Sequence, residues 1–188
     1  MKNENLRSNV QNRAARPGIQ RWDYSDTGVV RIMGTGIQFN DGKVSGVIHG
    51  GSYRDAPAHL PGVNMAYELR DRHSDVLIPT RDFSVPGVED LLAGMWKARH
   101  LLAKHGAIYV GCMGGTGRTG LFMASMLLWA EMTQRWVKPR QDTLARNAIK
   151  EVRRQYRPHA VETKEQEQYL ADLPLRTLAW KAWALPVF

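Results

Sequence analysis

The chain has one cysteine among 188 residues. A lone thiol closes no internal disulfide, so the fold must hold without covalent cross-links, as suits a reducing, cytoplasmic setting. Long apolar runs are also missing. The longest, such as "LFMASMLLWA", falls short of the roughly 20 residues that a spanning helix needs, so no membrane span is expected. The first residues, "MKNENLRSNVQNRAARPG", lack the apolar middle of a secretory signal. There is no repeat and no low-complexity block, which excludes solenoids and arrays. The histidines, His49, His73, His100, His105 and His159 among them, show no metal-like spacing, and the chemistry read below requires no metal or other cofactor. Aromatic and basic residues do not interleave as in an RNA-binding signature.

Hydrophobic residues make up 43% of the chain, enough for a real core, and the length fits one domain. Residues 1–20 are polar and basic and end in "RPG", which reads as a flexible tail. Residues 21–173 form the expected catalytic domain. Residues 174–188 carry Trp180 and Trp183 and are expected to pack on it. Lys+Arg 26 against Asp+Glu 18 leaves a formal charge of +8. That excess serves solubility or an anionic substrate: a phosphorylated protein, a nucleotide, nucleic acid or lipid.

The runs "GVVRIMGTGIQF" and "KVSGVIHG", with "NDG" between them, suggest strands joined by a tight turn. "GSYRDAPAHLPG" is loop-like, and "DVLIPTRD" reads as a short buried strand running into a loop. Pro86 is expected to open a helix, with Glu89 and Asp90 in its first turn and Gly106 at its end. "AIYVGC" reads as a central strand. Helices are expected over 119–134 and 140–156, and "TKEQ" at 163–166 offers a capping box for another. This order predicts a single α/β domain with a central, mostly parallel sheet flanked by helices, its site at the carboxyl ends of the strands.

Cys112 leaves such a strand, and the turn after it is "CMGGTGRTG". Only a thiolate attacks well, and lowering a thiol pKa takes positive potential. A glycine-rich turn can aim successive amides inward as an anion nest, the next helix adds its N-terminus, and Arg118 adds a full charge. The same amides, from Met113, Gly114, Gly115, Thr116 and Gly117, and the Arg118 fork would hold the oxygens of a phosphate above the sulfur. A plainer reading leaves Cys112 as a small buried hydrophobe. A nucleotide-binding phosphate loop fails at two positions, with Cys112 for its first glycine and Arg118 for its lysine.

The segment resembles the cysteine-dependent protein tyrosine phosphatases, including the dual-specificity members, whose signature is C-x5-R-[ST]. The resemblance implies phosphomonoester hydrolysis through a phosphocysteine, with a phosphorylated protein as partner. Phosphotyrosine comes first, and phosphoserine or phosphothreonine next. It also implies a general acid on an upstream loop, often D-x-x-x-P. "DFSVP" supplies Asp82, with Asp75 as the spare candidate and Asp90 as a distant third. Thr119 is implied to assist the leaving sulfur. "RPHAVETKEQEQYL" resembles the segment whose glutamine positions water, with Gln166 matching best and Gln168 next.

Two departures stand out. Gly111 occupies the place of the histidine that usually precedes the nucleophile, which would loosen the nest or raise the thiol pKa. "PTRD" replaces the Trp-Pro-Asp of the tyrosine-specific branch, which favours the compact, dual-specificity-like one. The alternatives are a phosphate-binding module that has lost catalysis, and a phosphatase acting on RNA 5′ ends, nucleotides or lipids.

Overall fold

A computed structural model of the chain describes residues 36–134 and 140–173. The expected tail (1–20), the strand-like residues before 36 and the segment 174–188 lie outside the described residues. The "NDG" turn does join two strands. β1 (Gly36–Asn40) and β2 (Ser45–Ser52) pair antiparallel, from Gly36 opposite His49 to Asn40 opposite Ser45. Side chains close the turn: Asn40 Oδ1 accepts from the Gly42 amide at 2.8 Å, and Asp41 Oδ1 from the Lys43 and Val44 amides at 3.0 and 2.8 Å.

Asp41 has a second task. Its carboxylate is buried and pairs with buried Arg99 of α1 (Val88–His105). Removing one partner of such a pair strands the other charge in the core. Asp41→Ala is therefore expected to lower the unfolding free energy by about 3–5 kcal/mol, measured by urea denaturation. A loss below about 1 kcal/mol would mean that the pair behaves as a solvated one.

The sheet has the order β1-β2-β5-β3-β4, and every pairing beyond β1 is parallel. β5 (Ala107–Cys112) lies in the middle, and its unbroken apolar run suits a strand covered on both faces. β4 (Val76–Thr80) is the expected "DVLIPTRD" strand. β3 (Gly62–Ala66) escaped the sequence reading. It is five residues of "GVNMA", wholly buried, with Asn64 breaking the apolar pattern. The fold satisfies that amide locally: Nδ2 donates to the Leu69 carbonyl at 2.8 Å, and Oδ1 accepts from the Ala66 amide at 2.9 Å.

α1 starts at Val88, two residues after the expected opening at Pro86. The intervening Gly87 is extended, and its carbonyl accepts the Leu91 amide at 3.0 Å, so Gly87 caps the helix. The expected end holds: Gly106 has φ 73° and donates to the Leu102 carbonyl at 2.8 Å. α2 (Gly117–Gln134) is buried along nearly its whole length, which its apolar composition requires. α3 (Gln141–Gln155) buries one stripe, Leu144, Ala145, Ala148, Ile149 and Val152. α4 (Lys164–Asp172) follows the Thr163 cap, whose hydroxyl accepts the Gln166 amide at 3.1 Å. Because β2, β5, β3 and β4 run the same way, the segments leaving them meet at one edge of the sheet.

Candidate active site

Cys112 ends β5 opposite Ser52 of β2 and is 3% exposed. Its sulfur accepts the Gly115 amide at 3.2 Å. Gly115 has φ 70°, and a Cβ there would lie 2.2 Å from the Gly51 carbonyl carbon, so the turn needs glycine on two counts. The outer side of the turn is tied down after α3. The Tyr156 hydroxyl donates to the Gly115 carbonyl, and Arg157 donates to the Gly114 carbonyl at 2.9 Å and to Thr116 Oγ1 at 3.0 Å. With those carbonyls held outward, amides are left to face the sulfur, as that of Gly115 does.

Gly111 is accounted for by its neighbour. A Cβ at this position would lie 2.7 Å from the Tyr53 amide nitrogen and 2.8 Å from its Cα. The helical turn Tyr53–Asp55 thus occupies the space of the expected histidine, and the backbone on that side of the strand is packed rather than loose. The Tyr53 hydroxyl anchors the turn by donating to the His73 carbonyl at 3.0 Å.

Arg118 lies in the first turn of α2 and is 1% exposed. Nη1 donates to Glu68 Oε2 at 2.8 Å and to the Thr80 carbonyl at 2.7 Å, and Nη2 to Asp82 Oδ1 at 2.9 Å. Its Nε, and the hydroxyl of Thr119, are buried with no partner in the protein. Trp129 Nε1 and the Tyr169 hydroxyl are buried without a partner too, but Arg118 and Thr119 are the pair that follows the Cys112 turn directly. Burial alone would raise the Glu68 carboxyl, but the hydrogen bond and charge of Arg118 hold it below its ordinary range.

Of the three candidate acids, only Asp82 reaches Arg118. It sits on the loop after β4 and is half exposed. Asp75 lies at the other end of that strand, where its Oδ2 accepts the Gly62 amide at 2.7 Å and clamps β4 to β3. Asp90 stays in the first turn of α1, beside Gly87.

Gln166 is fully buried. It makes half a capping box: Thr163 caps its amide, but its own side chain turns elsewhere. Oε1 accepts the Glu162 amide at 2.8 Å, and Nε2 donates to the Ser84 carbonyl at 3.3 Å. A Cβ on Gly117 would come within 3.3 Å of Nε2, so this amide touches both the phosphate-type turn and the Asp82 loop. Gln168 instead pairs with Asp172 on the exposed side of α4. Among the described residues, two non-glycine residues have positive φ, Phe83 (55°) and Val161 (61°), and Gln166 binds the backbone of the residue after each, the Ser84 carbonyl and the Glu162 amide. Strain held in place by such a brace is typical of sites.

Sequence reasoning missed Glu68, the Thr80 carbonyl, Tyr53, Tyr156 and Arg157. Glu68 follows the strand that was itself missed, and the others act through packing or backbone that no local motif announces. Among the described residues, no group of three or more His, Cys, Asp or Glu could hold a metal ion, and no helix is long and apolar enough to cross a membrane.

A family model described as "Tc-R-P: Polymorphic toxin system, DSP-PTPase phosphatase" matches residues 61–132, from the start of β3 into α2. The uncharacterized protein MJ0215 of Methanocaldococcus jannaschii is 32% identical over 95 residues, 50% of this chain and 52% of that one. A second uncharacterized protein of that organism is 30% identical over 95 residues, 50% of this chain and 56% of its own length. The chain thus spans about half the length of the curated relatives it matches. The crystal structure of Tk-PTP in the active form aligns with a TM-score of 0.52 and 25% identity, covering 74% of this chain and 97% of that one. Kinase associated phosphatase, crystallised with serine for its catalytic-site cysteine, aligns at TM-score 0.50 and 16% identity over 80% and 97% of the two chains, a likeness of fold alone. The matched span takes in Asp82, Cys112 and Arg118, and the likeness to Tk-PTP extends over 74% of the chain, so the central part of the chain is similar to the DSP-PTPase phosphatases and its fold is that of a PTP-like phosphatase.

Proposed function

We propose that the protein hydrolyses phosphomonoesters of protein side chains, phosphotyrosine before phosphoserine and phosphothreonine, through a phosphocysteine. One observation carries the reading: a buried guanidinium with an unpartnered Nε shares one site with a sulfur that accepts an amide and a carboxyl group on a strained loop. In the first step the Cys112 thiolate forms the S–P bond as the P–O bond to the leaving group breaks, and Asp82 gives that oxygen its proton. Amides of residues 113–117 and the Arg118 fork hold the equatorial oxygens throughout. In the second step water attacks phosphorus, Asp82 takes its proton, and the P–S bond breaks with the electron pair returning to sulfur. Thr119, whose buried hydroxyl has no partner in the protein, donates to that departing sulfur. Gln166, held between the two loops, positions the water.

The aryl preference rests on Phe83. It follows the acid directly, is 62% exposed, and offers a flat apolar face beside the leaving group. A cytoplasmic setting rests on the single unbridged thiol. The test is turnover of a phosphotyrosine peptide against phosphoserine peptide, RNA 5′-phosphate and phospholipid controls, with acid quenching to trap phosphate on Cys112. Efficient turnover without any label on Cys112 overturns the intermediate. Preference for RNA or lipid overturns the substrate.

A further inference from the structure

Two arginines at the lip of the site remain unused by the chemistry above. Tyr67 opens the helical turn after β3, and its neighbour Glu68 grips Arg118. Arg81 lies between Thr80, whose carbonyl binds Arg118, and Asp82. Both segments that hold the central guanidinium therefore carry a further arginine outward. The Cζ of Arg70 lies 4.5 Å from the centroid of the Tyr67 ring, and that of Arg81 5.9 Å from the same ring. The Arg70 fork also donates to the Tyr67 carbonyl at 3.1 Å, which fixes its stem.

From this juxtaposition we infer that Arg70 and Arg81, gathered on Tyr67, form a second anion subsite that takes an acidic or phosphorylated residue next to the phosphorylated one in a peptide. The inference rests on the phosphatase reading above and adds the substrate class.

Three observations carry it. First, both side chains are exposed, and neither makes an ion pair with a carboxylate among the described residues. Of the acids close by in sequence, Glu68 and Asp82 are engaged by Arg118, and Asp71 makes no ion pair with either arginine. Two like charges on one ring, neither paired with a carboxylate, make a positive potential that an anion relieves. Secondly, other arginines of the region are spent. Arg157 holds the turn after Cys112, and Arg72 donates to the Arg54 carbonyl at 3.4 Å. Thirdly, Arg70 and Arg81 both lie against the Tyr67 ring, where a nucleobase would have to compete with them for the stacking contact on which single-stranded nucleic acid readers depend. What the lip presents is guanidinium forks, whose geometry matches carboxylate and phosphate.

The test uses phosphotyrosine peptides that differ only in their flanking residues: acidic, neutral, basic, or a second phosphate. For the full chain, kcat/KM is expected to be about tenfold higher for the acidic and doubly phosphorylated peptides than for the neutral one, and to fall with added salt. In the Arg70→Ala/Arg81→Ala double variant that ratio should drop towards one, and Arg70→Glu/Arg81→Glu should invert it in favour of basic flanks. Binding of the same peptides to Cys112→Ser, with and without the arginine changes, reads the same ratios independently of turnover. A wild-type protein that fails to turn over p-nitrophenyl phosphate sinks the parent reading, while the binding ratios still decide the subsite. Equal ratios in parent and double variant overturn the subsite. Tighter binding of a 5′-phosphorylated RNA than of any peptide overturns the peptide class.

Discussion

Cys112→Ser is expected to reduce hydrolysis of p-nitrophenyl phosphate by about 10⁴-fold or more, the scale of losing a nucleophile outright. A serine hydroxyl is a far weaker nucleophile than sulfur, and among the described residues no basic side chain is hydrogen-bonded to residue 112 to activate it. The same variant should bind inorganic phosphate at least as well as the parent. Binding on this reading depends on the turn amides and Arg118, and the substitution leaves both in place. Steady-state kinetics and calorimetry on one preparation separate the two effects. Hydrolysis within tenfold of the parent would mean that sulfur does not attack phosphorus. Loss of phosphate binding together with activity would mean that the side chain holds the turn rather than performs chemistry.

The contrast between those outcomes matters because the turn is built to be rigid. Tyr156 and Arg157 pull its carbonyls outward, Gly51 closes against Gly115, and Tyr53 fills the place beside Gly111. The histidine that usually precedes the cysteine in the phosphatases this segment resembles is replaced here by the backbone of a neighbouring turn. The expected consequence of losing it, a looser nest, does not follow once the space is seen to be occupied. A sequence shows that a side chain is missing, but it cannot show what has moved into the gap.

How much was legible depends on how local each cause is. The strand, glycine turn and helix around Cys112 could be read because strand propensity, backbone freedom and helix start all act within a dozen or so residues. The helix end at Gly106 was legible for the same reason, since a left-handed cap is a one-residue event. β3 was not, because a five-residue strand buried on both faces shows no alternation and Asn64 disguises it. With β3 unseen, Glu68 had no place in the fold, and the partner of Arg118 could not be named. The sequence ranked Asp82 above Asp75 and Asp90 on its D-x-x-x-P spacing, but that the register of β3 and β4 sets Asp75 at the far end of its strand could not be read from it. Gln166 carried a local signal and a distant one. The capping pattern at Thr163 was readable, whereas its contact with Ser84, 82 residues away, was not.

Asp82→Ala should show two opposite effects on one protein. For substrates with poor leaving groups, such as alkyl or unactivated phenyl phosphates, kcat is expected to fall about 10²–10⁴-fold, the usual contribution of a positioned acid. For leaving groups acidic enough to depart unprotonated, the fall should be much smaller, so the dependence of rate on leaving-group pKa steepens. Affinity for phosphate should rise, because Asp82 now occupies Nη2 of Arg118 and an oxyanion must displace it. On the proposed mechanism catalysis and binding draw on the same carboxyl group, which has to leave the guanidinium before a phosphoryl oxygen can take its place. Asp82→Asn keeps the shape and the hydrogen bond acceptor without the proton, and should match Asp82→Ala in rate but show less of the gain in affinity. A loss of the same size for every leaving group, with no change in phosphate binding, would reduce Asp82 to a prop for Arg118 and move the acid elsewhere.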